Sequence, residues 1–518
     1  MTMINSICTH IDTYLRIHIS LVASLQALKY SNSRQKPCEI MAISRFWNQL
    51  YSAIVFLLVC GMVSTLSAKP NQKKLPQTGK AILHFRPEGM KAGDVIPFFW
   101  KGSYHLFYLE GPDWGHIVSQ DLLHWQELPK ALVKGADPQG PDWESIWTGS
   151  IVEHNGTFFL FYTGKNSNDP LGDQKVMQAR STDLIHWEKH PEYTFYADGK
   201  IYWNKTINGA IDNKQIYHHQ AFRDPHVVWN PKEKIWWLAL HSVSTDGSSP
   251  NVGLYTSTDL TRWTPHTPLI IYPNSVSGDC PDVFALDDLW NVNCADYHYM
   301  QVDKTGTLNP KIRPYDCGDL RVAKTMYDGK RRILIGWIGD YKDSSDNGSY
   351  EWGGSLSMPR ELYADENNQL CQRPVKEVLR LFSETKFQAK NVDLNTAIST
   401  PQNYLLTATL DPDTTRPVAT INFRESADGD EAYRLTIDFN TQEISIGSKY
   451  KTYKRSCDFD PLKPLRVQLF IDGTIAECFI DDAYCFTMRI YDLTEGNLSF
   501  LSTSPELTVE KVSVKTIR

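Results

Sequence analysis

The chain lacks a Cys-x-x-Cys pair, a His-Glu-x-x-His pattern, a surplus of positive charge and a long amphipathic helix in its main body. Each absence closes a class of function. Ten cysteines are scattered through 518 residues without metal-ligand spacing, so no zinc site is implied and neither a metal nor any other cofactor is expected. Fifty-three Lys and Arg against 60 Asp and Glu give a net charge of −7 and a pI near 6.1. That balance leaves no electrostatic footprint for nucleic acid or an anionic membrane.

Apolar runs are scarce too. The strongest, Ala53 to Val63, is too short to span a bilayer comfortably and is followed by the small residues Ser64 to Ala68. It reads as a signal peptide covering 41–68 and beginning at Met41, with 1–40 as an upstream extension that has no periodicity of its own. The expectation is an exported protein, periplasmic or extracellular, with no stable membrane span after cleavage. A lipid anchor at Leu57-Leu-Val-Cys60 is disfavoured because Val59 is bulky for the position before a lipidated cysteine. Cys8, Cys38 and Cys60 fall in the leader, and the odd number that remains permits a disulfide but no disulfide framework.

What is present is a repeat. Ser119-Gln-Asp121-Leu-Leu-His-Trp125, Ser181-Thr-Asp183-Leu-Ile-His-Trp187 and Ser257-Thr-Asp259-Leu-Thr-Arg-Trp263 share a Ser-x-Asp-Leu-x-x-Trp unit. Each copy closes a run of short strands broken by turn residues such as Lys101-Gly102 and Asn155-Gly156, the signature of antiparallel meanders repeated around an axis. Candidate innermost strands near Asp94, Trp147, Asp224, Asp282 and Ile333 predict a five-bladed β-propeller over 79–381. After Gln372-Arg-Pro-Val375 a short helical patch serves as linker. Beyond it Leu465 to Ile471, Asp472-Gly473 and Thr474 to Ile480 spell a hairpin, and similar strands predict a β-sandwich over 388–518. The fold class is all-β.

Three acids open blades: Asp94 in Gly93-Asp94-Val-Ile-Pro97, Asp224 in Phe222-Arg223-Asp224-Pro225, and Asp279 in Gly278-Asp279-Cys280-Pro281-Asp282. Taken singly, each reads more readily as a turn acid bonded to nearby amides. Taken together, one per blade start, they converge on one end of the axial channel, where opposed carboxylates suit glycosidic cleavage and a third stabilises developing positive charge. Asp282 is a spare carboxylate better read as structural. Fifteen Trp and 25 Tyr suit sugar stacking and propeller cores equally well.

The chain resembles glycoside hydrolase family 32, the invertase, inulinase and levanase group, which joins a five-bladed propeller to a β-sandwich. His105-Leu-Phe-Tyr108, Trp114-Gly-His116, Trp147-Thr-Gly-Ser150, Phe161-Tyr-Thr-Gly164, Phe222-Arg-Asp-Pro225, Cys280-Pro-Asp282, Ile335-Gly-Trp337 and Pro359-Arg-Glu361 fall in the family's order, and Glu477-Cys-Phe479 resembles its sandwich. By that resemblance Asp94 is the nucleophile, Asp279 the acid/base and Asp224 the transition-state stabiliser. Arg223, Trp114, Trp147 and Cys280 are then substrate contacts. The implied reaction is retaining and acts on an oligo- or polysaccharide, with nucleophile and acid roughly 5 to 5.5 Å apart.

Two departures stand out. The family's Trp-Met-Asn-Asp-Pro-Asn-Gly becomes Gly89-Met-Lys-Ala-Gly-Asp94-Val-Ile-Pro97, which keeps only the acid. The family's proton donor is Glu, whereas this chain has Asp279. The missing methylene withdraws the carboxyl by about a bond length, a shift worth on the order of 100-fold unless the pocket is rebuilt. Exo-acting cleavage of β-fructofuranosides is therefore weighed against an arabinofuranosidase-like specificity and against a carbohydrate-binding homologue without activity.

Overall fold

The structure is a computed structural model that describes residues 83–209, 221–272, 278–286, 289–294, 298–302 and 308–518. The expected upstream extension and signal peptide, with Cys8, Cys38 and Cys60, lie outside the described residues.

Turn chemistry sets the first level of order. Asn155 and Gly156 both take positive φ, at 53° and 80°, the backbone that joins two right-twisted strands in a two-residue hairpin. Antiparallel strands build five propeller sheets in chain order. Their innermost strands are Val95–Trp100, Ser145–His154, Phe222–Asn230, Asp282–Leu286 and Leu320–Tyr327. Each contacts the next, and Leu320–Tyr327 contacts Val95–Trp100, which closes a five-bladed ring.

The fifth blade corrects one expectation. Ile333 lies in the second strand, Arg332–Tyr341, paired with Met326 of the true inner strand. A register shift between Arg321 and Lys324, with Val322 at φ 46°, breaks the two-residue alternation there. That bulge hides the strand from a periodicity reading.

The Ser-x-Asp-Leu-x-x-Trp repeat is the turn after the third strand of its blade. Asp183 Oδ1 accepts from the N–H groups of Ile185 and His186 at 2.9 and 2.8 Å, and Asp259 Oδ1 does the same for Thr261 and Arg262 at 2.8 and 3.0 Å. The intervening Leu122, Leu184 and Leu260 are left-handed and buried. Trp187 packs edge-on against Phe107 of the preceding blade, and Trp263 against Phe161. The repeat is thus a capped turn whose Leu and Trp seal neighbouring blades.

The ring has a seam. Ahead of the first blade, Ala92 pairs with Gly354 beside the fifth blade, with both N–H to O contacts at 2.9 Å. The same segment reaches the C-terminal domain, where Leu83 N–H donates to Asp472 Oδ2 at 2.7 Å. That domain is two six-stranded sheets whose strands run from Glu384 to Thr516. Val467, Leu469 and Ile471 face its inner core, while Phe470 and Phe479 pack outward with Val378 and Phe382, next to propeller residues.

A buried ionic network crosses the same boundary. Arg360 donates from Nε and Nη2 to Glu477 Oε2 at 3.0 and 2.5 Å, and from Nη1 to Asp316 Oδ2 at 2.7 Å. His84 bridges Asp472 and Glu477 through its two ring nitrogens, at 2.8 and 2.9 Å.

Candidate active site

Two of the inner strands bulge at the candidate site. A register shift between Trp147 and Gly149 turns Thr148 inward, and another opposite Ala239 and His241 coincides with Asp224, a non-glycine residue at φ 61°. Bulges at such positions re-aim side chains away from the pleat. On the first blade, Gly93 N–H donates to Leu109 O at 2.9 Å and Leu109 N–H to Asp94 O at 3.0 Å. The backbone is therefore pinned on both sides of the acid.

Asp94 sits in a ring of donors. Thr148 Oγ1 donates to Oδ2 at 2.5 Å and Trp337 Nε1 to Oδ1 at 2.9 Å. Cys280 Sγ stands 3.4 Å from Asp94 Oδ2 and 3.4 Å from Asp224 Oδ2. Asp224 Oδ2 also accepts from Cys280 N–H at 3.1 Å, so this side chain reaches across to the fourth blade instead of capping its own turn. Arg223 Nη2 donates to Asp279 Oδ1 at 2.5 Å, and its Nε lies 3.6 Å from Asp224 Oδ2. Asp94, Arg223, Asp224, Asp279 and Cys280 form one connected cluster.

Burial dominates the electrostatics. It raises the Asp94 carboxyl, while the donors Thr148, Cys280 and Trp337 and the charge on Lys324 pull the other way. Burial lifts Asp224 to about 7, with Arg223 opposing and the Asp279 and Asp94 charges adding to the rise. The Cys280 thiol is pushed well up by burial and by the same carboxylates. Both effects favour the neutral S–H over the thiolate that a nucleophilic cysteine needs.

Trp114 departs from its expected substrate-contact position. It is 0% exposed, lies in the core between the first two blades, and donates from Nε1 to Trp147 O at 3.1 Å. In this conformation it supports Trp147 and presents no face to a sugar. Trp147 itself is half-buried on the second blade's inner strand. Asp282 is buried and accepts from the N–H and Oγ1 of Thr325 at 3.0 and 2.7 Å, which ties the fourth blade to the fifth.

Several residues at the site carried no functional signal in the sequence. Thr148 and Trp337 stand within motifs that were visible, yet nothing marked them as partners of Asp94. Lys324, buried and donating to Gly149 O at 3.1 Å, was detectable only as a lysine between Val322-Ala323 and Met326 in a strand. Gln174 accepts from Phe222 N–H and Arg223 Nη1 at 3.0 and 3.3 Å, and orients the arginine.

Residues 84–374 match the glycosyl hydrolases family 32 N-terminal domain and residues 376–516 its C-terminal domain. The chain belongs to glycosyl hydrolase family 32. It is 25% identical over 532 residues to an insoluble isoenzyme of beta-fructofuranosidase from Arabidopsis thaliana, covering 83% of this chain and 90% of that protein. It is 28% identical over 331 residues to sucrose-6-phosphate hydrolase from Escherichia coli, covering 57% of this chain and 64% of that one. With several other relatives, among them the acid beta-fructofuranosidase of Phaseolus vulgaris, the match spans little more than half of the relative's length. Among solved structures, fructan 1-exohydrolase IIa from Cichorium intybus superposes with a TM-score of 0.69 at 20% identity, covering 85% of this chain and 98% of that one. The propeller-plus-sandwich fold is the family's.

Proposed function

We propose that this family 32 member hydrolyses β-fructofuranosidic bonds, in sucrose, fructo-oligosaccharides or fructans, by a retaining double displacement. The observation that carries the reading is Asp94, held by Trp337 and Thr148 and joined through Cys280 to Asp224, with Asp279 and Arg223 beside them. In the first step an Asp94 oxygen bonds to the anomeric carbon as the glycosidic bond breaks, and Asp279 gives its proton to the leaving oxygen. In the second, Asp279 takes a proton from water, whose oxygen bonds to the anomeric carbon and frees Asp94. Ionised Asp224 stabilises the oxocarbenium-like charge between these steps. The fructosidase names of the relatives support this substrate class. The plant relatives named as insoluble or cell-wall isoenzymes support export of this chain as well.

The purified protein is incubated with sucrose, inulin, levan and aryl furanosides, alongside Asp279→Asn, and released sugars are resolved by chromatography. Fructose release is expected, and the variant should lose most of it on substrates with poor leaving groups. Arabinose without fructose would point to the other furanosidase specificity. No sugar above background would leave a binding protein.

Trp337→Phe keeps the ring and removes the donor to Asp94. It is expected to lower kcat/KM on the order of 10-fold, the worth of a hydrogen bond to a charged group. Because that bond favours the ionised acid, its loss raises the Asp94 pKa and moves the acid limb of the pH profile upward. An acid limb that stays put would mean that Trp337 does not hold the nucleophile.

A further inference from the structure

The shortened acid has a neighbour with no part in the reaction as written above. His241 is 0% exposed, lies on the second strand of the third blade (Ile235–Val243), and pairs in register with Arg223. Its Nε2 stands 3.1 Å from Asp279 Oδ1, the oxygen that also accepts from Arg223. The residue before the acid is shaped to admit this ring. A Cβ on Gly278 would lie 2.9 Å from His241 Nδ1 and 3.1 Å from the Tyr272 ring. Any side chain at 278 would therefore push the imidazole away from the carboxyl or the backbone away from the imidazole.

We propose that His241 is the positioning residue for the proton donor: it buttresses Asp279 from behind and, with Arg223, fixes the short carboxyl where a longer side chain would otherwise reach. This role rests on Asp279 being the acid/base. The charged and titratable groups around the pair are Arg223, Asp224 and Cys280, with the Tyr272 hydroxyl beyond Gly278. The polar edge of the imidazole, with Nε2 3.1 Å from Oδ1, steadies the carboxylate between the two proton transfers.

The test uses the full-length protein with His241→Leu, His241→Gln, Gly278→Ala and Asp279→Asn, assayed on sucrose and on an activated aryl β-fructofuranoside. Sucrose needs the proton and the aryl leaving group needs it less. His241→Leu is expected to lower kcat on sucrose on the order of 10- to 100-fold, with a far smaller loss on the aryl fructoside and little change in KM. His241→Gln, which keeps an N–H donor near the Nε2 position, should recover part of the loss. Gly278→Ala should resemble His241→Leu. The basic limb of the pH profile should move upward in His241→Leu, because the ionised Asp279 has lost a donor. In the Asp279→Asn background the histidine change should add nothing. Equal losses on both substrates, or losses that add on top of Asp279→Asn, would overturn the positioning role. If His241→Leu folds poorly, Gly278→Ala and His241→Gln still decide between these outcomes. A wild-type protein active on fructosides but indifferent to Asp279→Asn would overturn the acid/base assignment, and a wild type inactive on every fructoside would overturn the substrate class.

Discussion

Arg360→Ala is expected to destabilise the protein by about 3–5 kcal/mol, the cost of removing one partner from a buried ion pair. The guanidinium is fully buried and donates to Glu477, Asp316, Gln372 and Thr487 at once. Alanine leaves two carboxylates without their shared cation. Lysine is not expected to rescue, because a single ammonium cannot reproduce a planar fork with five donors. Urea or guanidinium unfolding of wild type, Arg360→Ala and Arg360→Lys would measure the loss. A change below about 1 kcal/mol for the alanine variant would put the network outside the terms that hold the two domains together.

The same network sets a pH window. His84 is raised to about 9, since the bonds and charges of Asp472 and Glu477 outweigh the lowering effect of burial. Its stabilisation is fully present below the unfolded value near 6.5 and is lost as pH rises through about 9. Glu477 is lowered to about 2, where Arg360 and His84 overcome a burial effect of opposite sign. Its contribution is present above the unfolded value near 4.5 and fades as pH falls towards 2. Thermal unfolding should therefore show a plateau between those limits, with the alkaline edge moving in His84→Gln.

Asp94→Asn is expected to cut turnover on the order of 10⁴-fold or more, because a carboxamide cannot form the covalent intermediate. Stability should hold or rise. Burial already disfavours the charge on Asp94, the amide oxygen can accept from Trp337, and the shape is unchanged. Sugar release and Tm measured together make the point, since a catalytic group and a folding group respond in opposite directions. An asparagine variant within tenfold of wild type would falsify the nucleophile assignment.

Much of this site was legible in the sequence, for a physical reason. The repeat fixes the blade register, and blade starts converge, so three ordinary Asp residues could be placed together from spacing alone. The sandwich hairpin was equally plain, because Val467, Leu469 and Ile471 obey a strict period of two. The fifth inner strand was misplaced because its bulge spoils that period next to Lys324. Trp114 was misread for a different reason: a motif position records what a family retains, and a tryptophan is retained for packing as readily as for binding. His241 escaped because its strand, Ile235–Val243, looks like any buried strand, and its value depends on a glycine far away in sequence at position 278.

The seam of the ring gives Asp94 a second kind of significance. The propeller's two ends are joined by the short stretch from Leu83 to Gly93, which is anchored to the sandwich at Asp472, zipped to the last blade at Gly354, and ends directly on Asp94. The acid is thus mounted on the clasp of the toroid. With Asp94 as the proposed nucleophile, sugar release is expected to fall when the contacts of this stretch to Gly354 and Asp472 are broken, so that activity becomes a readout of ring closure.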